Sequence, residues 1–372
     1  MRLAVAIVSV LALGAAACGE LPNVTTVMDL RVLGVKCEPA GFLVDLDKPA
    51  DTMADALKAT LTALVVDPQG QGYELHVSAV GCPDYIDTIT SATLQGSKLC
   101  PPESVTSMIP PPIGQYLATT TIVPASAPVS FFPVGGSGVQ YEPTLVFGLR
   151  PDQVGAFFSP MKIGVPALDE SIQFNRDFGL AAIVNLDFEL NGQRAVAIKR
   201  VVYWPLIIEP GMPAPVANKN PTLGDPAKPA ASKILLYKHR DETNGLPDVL
   251  YEDAHPTISI SAKDKLYVDP VADQAAEEYR LRVRNPDTLE IDTRTQLELL
   301  RFQFYATAGT FDPDLQINQE NPITGRTLTD AEYLPPKPED VPSEGLQVTI
   351  WVVAHDERAG TDWASTTITV RP

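Results

Sequence analysis

The stretch IVNLDFELNGQRAVAIKRVVYW, residues 183–204, decides the fold class. Val184, Leu186, Phe188 and Leu190 recur at every second position, with Asn185, Asp187 and Glu189 between them. A period of two places alternate side chains on opposite faces of a strand, so this run reads as a strand with one buried face. Asn191–Gly192 then interrupts it, and Asn-Gly is the dipeptide that most readily supplies the two positive φ angles of a type I′ turn. Residues 183–204 are therefore expected to form an antiparallel hairpin.

The same pattern recurs to either side. Near the carboxyl end, GLQVTIWVVAHD, ERAGT and DWASTTITVRP (345–372) read as strand, turn and strand. Leu346, Val348, Ile350 and Val352 share one face, as do Ala364, Thr366, Ile368 and Val370, while Trp351 falls opposite Ile350 and Val352 to cover a second side or mark a contact surface. Upstream, KATLTALVVDPQGQGYELHVSAVG (58–81) reads as a further hairpin with turn chemistry in Asp67–Gly72. DTMADALK (51–58) just before it suits either loop or a short helix capped by Asp51. Few other segments hold a helical period, so the expected class is all-β.

Length and composition set the organisation. The chain has 372 residues, more than a single domain usually needs, and its 45% hydrophobic content supplies ample core. Residues 205–230, PLIIEPGMPAPVANKNPTLGDPAKPA, hold seven prolines without sustained alternation. Such a segment is an extended, semi-rigid connector, which places a boundary near residue 218. In the first half, CPP, IPPP and VGGSGV interrupt the pattern over residues 83–142, a long loop insertion. Gly135-Gly136-Ser137-Gly138 within it lacks the spacing of a nucleophile elbow and reads as a turn. The formal net charge of −18 is spread over both halves, and a surface that acidic repels phosphate backbones, so nucleic acid is excluded as a partner.

The amino terminus is an address. Arg2 precedes an apolar run, Leu3 to Ala17, which is shorter than the roughly 20 residues a spanning helix needs but suits a signal-peptide core. It ends in Ala15-Ala16-Ala17-Cys18-Gly19. Small residues before a Cys resemble the lipobox of bacterial lipoproteins, although that family favours Leu where this chain has Ala15. The resemblance implies cleavage after residue 17, acyl chains on Cys18, a tether over 18–27 and, with Gly19 in place of Asp, the outer membrane as destination. The same letters also read as an ordinary A-x-A secretory site, which would leave Cys18 a free thiol.

With Cys18 acylated, Cys37, Cys82 and Cys100 remain, an odd number in an oxidising compartment. Cys82 and Cys100 enclose the short loop CPDYIDTITSATLQGSKLC and are the first choice for a disulfide, worth about 3 kcal/mol in the chain-entropy model. Cys37, in the alternating run LRVLGVKCEP, then reads as a small buried hydrophobe. In the ordinary secretory reading Cys18 is instead available to Cys37.

Residues 290–372, closing on WVVAHDERAG and TTITV, resemble the last two strands of bacterial immunoglobulin-like modules of the polycystic-kidney-disease and cadherin-like kind. LRVLGVKCEPAG and TLTALVVDPQG are similar to the opening strands of immunoglobulin-like domains in uncharacterised Gram-negative envelope lipoproteins. The resemblance implies two antiparallel β-sandwich domains, 28–217 and 218–372. The inter-sheet disulfide of antibody domains is absent, since no Cys follows residue 100.

Chemistry is sparse. His76, His239, His255 and His355 are scattered, without the helical pairing a zinc protease uses. His76 is expected on a strand face and His255 beside a turn. His239 and His355 each precede carboxylates, a pairing that turn-rich charged loops explain better than general-base catalysis. Many extracellular immunoglobulin-like repeats hold calcium with clustered carboxylates, which makes Asp312, Asp314, Glu320, Asp356 and Asp362 the candidates, with solvated acidic loops the plainer reading. No cofactor and no catalytic residue is expected. The resulting expectation is a non-enzymatic envelope lipoprotein acting as a structural or binding module toward protein or glycan. The alternative is a solute-binding protein or hydrolytic enzyme with a pocket between the two domains.

Overall fold

The computed structural model describes residues 25–49, 52, 57–83, 129–134, 139–159, 162, 164, 166–208, 210, 214–224, 232–241, 247–272, 278–285, 288, 290–319 and 327–372. The signal peptide, Cys18, Cys100, Asp51, Gly135–Gly138, Glu320 and most of the 83–142 insertion lie outside these residues.

The deciding hairpin is present. β8 (Leu180–Leu190) and β9 (Gln193–Pro205) pair antiparallel from Leu180↔Tyr203 to Leu190↔Gln193. Asn191 and Gly192 close it with φ of 46° and 80°, the two positive angles that a type I′ turn demands. Val184, Leu186, Phe188 and Leu190 are buried in the core, while Asp187 and Glu189 face outward; Asn185, expected beside them, is buried. Asp187 receives an ion pair from Arg194 across the hairpin.

Around this hairpin two sheets stack. One has the order β2 (Gly41–Val44), β9, β8, β4 (Leu75–Pro83) and β5 (Val129–Phe131), antiparallel except for the parallel β2–β9 pair. The other sets β3 (Lys58–Val66) between β1 (Arg31–Glu38) on one side and β6 (Gln140–Tyr141) with β7 (Thr144–Gly148) on the other. Their inner faces share one hydrophobic cluster, in which the Phe42 and Tyr203 rings stack with centroids 5.0 Å apart.

β3 and β4 are not the hairpin their sequence suggests. They belong to different sheets, and the Asp67–Gly72 turn carries the chain from one layer to the other. The turn chemistry is as read, with Asp67 Oδ1 accepting the Gln69 N–H at 3.0 Å. What alternation missed is that β3 is buried on both faces: Ala63, Leu64, Val65 and Val66 are all within the protein. A strand covered on both sides does not display which neighbour it pairs with.

Helices supply what the second sheet pair lacks. α1 (Pro151–Phe157) enters the first core with Val154 and Phe157, and α2 (Pro166–Phe178) packs beside it. The Asn175 amide donates to the Phe157 carbonyl at 3.2 Å and holds the helices together. The sequence pattern anticipates neither helix; α2 starts at Pro166 and carries Asp169 in its first turn.

The second half stacks two more sheets. One runs β11 (Pro247–Leu250), β10 (Ile234–Arg240), β13 (Tyr267–Pro270), β19 (Ala331–Leu334), β17 (Thr310–Asp312). The other runs β12 (Thr257–Ser259), β21 (Thr361–Arg371), β20 (Leu346–His355), β16 (Arg301–Ala306), β18 (Leu315–Ile317). The final hairpin forms, with pairs running from Leu346↔Val370 to His355↔Thr361, so Thr361, read as part of the turn, belongs to the strand. Val348, Ile350, Val352, Ala364, Ile368 and Val370 enter a second core. β14 (Glu278–Arg284) and β15 (Ile291–Leu297) form a separate two-stranded ribbon.

A third, smaller core joins the two halves. Trp351 and Val353, on the outer face of β20, meet Val27, Leu33, Leu64 and Val66 from the outer face of the first sheet pair. Trp351 is fully buried, and its Nε1–H donates to Gln140 Oε1 at 2.9 Å. The contact surface expected at Trp351 is thus internal. Val27 continues a short bridge in which the Thr25 carbonyl accepts the Ala306 N–H at 3.0 Å and Val27 N–H reaches the Ala306 carbonyl at 2.9 Å.

Candidate binding cleft at the junction

The β20–β21 turn, His355 to Thr361, is the node on which the junction is built. Asp356 sits at its start and accepts three hydrogen bonds: Oδ1 takes the N–H of Arg358 at 2.8 Å and of Gly360 at 2.6 Å, and Oδ2 takes the Asn218 amide at 3.1 Å. Burial raises the Asp356 pKa above its ordinary value, and these donors work against that rise. Asn220 bonds both halves, donating to the Cys37 carbonyl at 2.7 Å and accepting the Thr361 N–H at 2.9 Å. The Pro-rich connector is therefore pinned at Asn218 and Asn220, and it enters the second core at Leu223.

Asp362 completes the latch, with Lys36 at 3.3 Å and the Leu223 N–H at 3.0 Å. Lys199, from β9, donates to the Ala359 carbonyl and to Thr361 Oγ1 at 3.2 Å. Burial pushes its amine down to about 8. His355 lies beside it, half-buried and lowered to about 4 chiefly by desolvation, with Nδ1 3.3 Å from Thr361 Oγ1.

These contacts decide the fate of the calcium candidates. Asp356 and Asp362 do converge on the junction, but their oxygens face N–H groups and an ammonium, which suit an anion's neighbours and not a cation's. Asp312 ends β17 and Asp314 follows it, both exposed. Among the described residues, no three His, Cys, Asp or Glu side chains converge to hold a metal ion. Glu320 lies outside those residues.

The remaining candidates separate. Cys37 is fully buried in the first core as a free thiol, raised to about 11 chiefly by burial, in keeping with a small hydrophobe. Cys82 lies on β4 opposite Ile183, while Cys100 and Cys18 lie outside the described residues. His76 is on a strand, its Nδ1 3.2 Å from Ser130 Oγ, and His255 stands in a turn region 3.1 Å from the Thr367 carbonyl. His239 pairs at 2.9 Å with Asp248, on the neighbouring strand.

Sequence reasoning did not find the cleft that this junction frames. A cavity of about 460 Å³ opens between the first half, the connector and the β14–β15 ribbon. One wall is apolar: Leu43 and Trp204 from adjacent strands, Phe178 at the end of α2, and Pro205, Ile207, Pro215 and Val216 from the connector. The opposite wall is the polar face of the ribbon, with Glu278, Arg280 and Arg282 on β14 and Thr293 and Thr295 across from them on β15.

Two of the three lining arginines are committed. Arg358 grips Glu298 with two bonds, Nε to Oε1 at 2.7 Å and a terminal nitrogen to Oε2 at 3.1 Å, and stacks 4.6 Å from the Tyr279 ring centre. Both members of that pair are almost wholly buried, so it fastens the ribbon to the β20–β21 turn. Arg282 donates to the Asp177 carbonyl and ties the ribbon to α2. The only sequence signal for this wall was the run EYRLRVR, whose alternating arginines stand out in an acidic chain.

No family model and no curated protein matches the chain in sequence. Among solved structures, the chain is similar to the C-terminal domain of the antigen I/II-family protein AspA of Streptococcus pyogenes, at 8% identity with 92% of this chain and 99% of that one covered and a TM-score of 0.19. It is also similar to an adhesin from Mobiluncus mulieris (8% identity, 92% and 99% covered, TM-score 0.24) and to the adhesin InvE of Yersinia pseudotuberculosis (9%, 90% and 58%, TM-score 0.16). Superpositions that loose say nothing of function, and the reading of the cleft rests on its own residues.

Proposed function

We propose that the chain is a non-enzymatic outer-membrane lipoprotein, anchored by acyl chains on Cys18, whose two braced halves present the junction cleft as a binding site. The observation that carries this reading is the cleft itself, with an apolar wall from one half facing a polar wall fastened to the other. A site assembled this way keeps its shape only while the halves stay joined, which gives the third core and the Asp356 latch a purpose beyond stability. Thr25–Val27 dock on β16. Seven residues, Cys18 to Val24, remain as tether. At about 3.4 Å per residue they hold the body within roughly 25 Å of the lipid surface.

The cleft also favours the solute-binding form of the alternative reading, since its volume is that of a small-molecule site, about 300–1,000 Å³. The anchor is tested by intact mass and amino-terminal peptide analysis of protein purified from membranes. A Cys18 carrying diacylglycerol and an amide-linked acyl chain is expected, and an unmodified Cys18 would sink the lipoprotein reading. Crosslinking in the native envelope tests the binding role: a partner captured through residues of the ribbon is expected, and capture unaffected by deleting the ribbon would count against the cleft.

A further inference from the structure

The third lining arginine is the uncommitted one. Among the described residues the Arg280 guanidinium makes no ion pair and no hydrogen bond, although it is only partly exposed and lines the cleft. Thr295 stands directly opposite it on β15, so a hydroxyl and a guanidinium share one face of the ribbon. Across the cleft lie the Trp204 and Phe178 rings. The rest of the protein is strongly acidic, at a net −18, and repels anions generally. A half-buried arginine without a partner among the described residues, across a cavity of about 460 Å³ from aromatic rings, is a receptor for one negative charge on an apolar body.

We propose that the cleft binds a small carboxylate with a flat apolar body, its carboxylate on Arg280 and Thr295 and its body against Trp204 and Phe178. Arg358 holds the wall through its pair with Glu298 and Arg282 reaches the Asp177 carbonyl with a terminal nitrogen, so the recognising charge is assigned to Arg280. The inference rests on the reading of the cleft as a binding site, and it adds the ligand's class.

The test compares 3-phenylpropionate with its neutral isostere 3-phenylpropanamide by calorimetry and ligand-observed NMR on the full mature chain. The carboxylate is expected to bind about tenfold more tightly than the amide, the difference a charge-assisted bond makes. Arg280→Gln should reduce carboxylate affinity to that of the amide and leave the amide unchanged. Trp204→Leu should weaken both, with circular dichroism confirming that each variant is folded. Equal affinity for the two probes in the unsubstituted protein, or a preference that survives Arg280→Gln, overturns the anion claim while leaving a binding cleft in place. D-glucuronate binding as tightly as phenylpropionate overturns the apolar body. Failure of all three probes to bind at millimolar concentration overturns the site itself, independently of the anchor, which is judged by the mass of Cys18.

Discussion

Asn218 and Asp356 join the connector to the β20–β21 turn: the Asn218 amide donates to Asp356 Oδ2 at 3.1 Å, in a place where both residues are buried. Asp356 is also held by two backbone N–H groups of its own turn, so the carboxylate organises the turn while Asn218 links that carboxylate to the connector. Asn218→Ala removes that link and leaves one buried carboxylate oxygen short of a donor. A loss of about 1–3 kcal/mol is expected at neutral pH. Burial already raises the Asp356 pKa, and losing the amide raises it further. A carboxyl whose folded pKa lies above its unfolded value costs stability as pH rises through that interval, and the cost levels off above it. The deficit of the variant should therefore be larger at pH 7 than at pH 4 in urea titrations, and an equal deficit at both would remove Asp356 from the explanation.

Trp351 tests whether the halves act as one body. Its indole is fully buried in the third core and bonded to Gln140. Trp351→Ala should cost about 3–5 kcal/mol, the usual range for deleting a large buried aromatic side chain. Because the cavity forms between the halves, calorimetry should show one transition in the unsubstituted protein and two in the variant. A single lowered transition would mean that the latch around Asp356 suffices to couple the halves.

Gly34 approaches the same interface from β1. A Cβ there would lie 3.1 Å from Val353 Cγ1 and 3.3 Å from Thr361 Cγ2, and β1 carries a register shift beside it. Gly34→Val would force its branched side chain into Val353, at about 1–3 kcal/mol. Gly34→Ala should be milder, and the two variants compared by thermal unfolding give the expected order. Equal stability of all three proteins would show that the halves can part slightly at no cost.

The sequence and the structure agree where a strand has one wet face. In β8 Asp187 and Glu189, and in β21 Ser365, Thr367 and Arg371, mark a wet face, so alternation located both hairpins and Asn191–Gly192 the turn of the first, although β9 buries Lys199 and β20 buries Trp351 and Val353 on its outer face. β3 is covered on both sides, its alternation is lost after Thr62, and the hairpin inferred with β4 is a crossing between sheets. The junction was half legible. Trp351, opposite a core face, signalled a contact surface, yet nothing local to Asp356 or Asp362 could say whether donors or a cation would meet them. The partners, Asn218, Lys36 and the Leu223 N–H, are more than a hundred residues away. The cleft was illegible for the same reason: its walls come from strands, helix end, connector and ribbon that only the tertiary fold brings together.

His355 gives the pH dependence a sign. Burial, with Lys199 and Arg301 nearby, lowers its imidazole from 6.5 to about 4. Below pH 6.5 the unfolded chain takes up a proton that the folded protein refuses, so stability is lost as pH falls from about 6.5 to about 4. On the order of 2–3 kcal/mol is at stake. Asp269, raised to about 6 chiefly by burial, works in the opposite direction over an overlapping range, so the net curve of the unsubstituted protein does not isolate either group. The difference between it and His355→Asn does. That difference should shift in favour of the variant by about 2–3 kcal/mol on going from pH 7 to pH 4, and a flat difference would show that His355 is protonated in the folded state.

The cysteines separate by chemistry. Cys37 is fully buried, its Sγ 3.1 Å from the Pro39 carbonyl, and its thiol is raised to about 11, so very little thiolate exists at neutral pH. Native protein should leave Cys37 unreacted toward a thiol reagent for as long as the first core stays closed, and denaturant should expose one reactive thiol per chain. A disulfide between Cys82 and Cys100, the pairing favoured by their spacing, accounts for that count of one, with Cys18 acylated. Non-reducing peptide mapping should then recover the two half-cystines linked, and reduction should lower stability by about 3 kcal/mol. Three reactive thiols in denaturant would overturn the pairing. Two linked half-cystines that include Cys37 would overturn the buried position of its side chain as well.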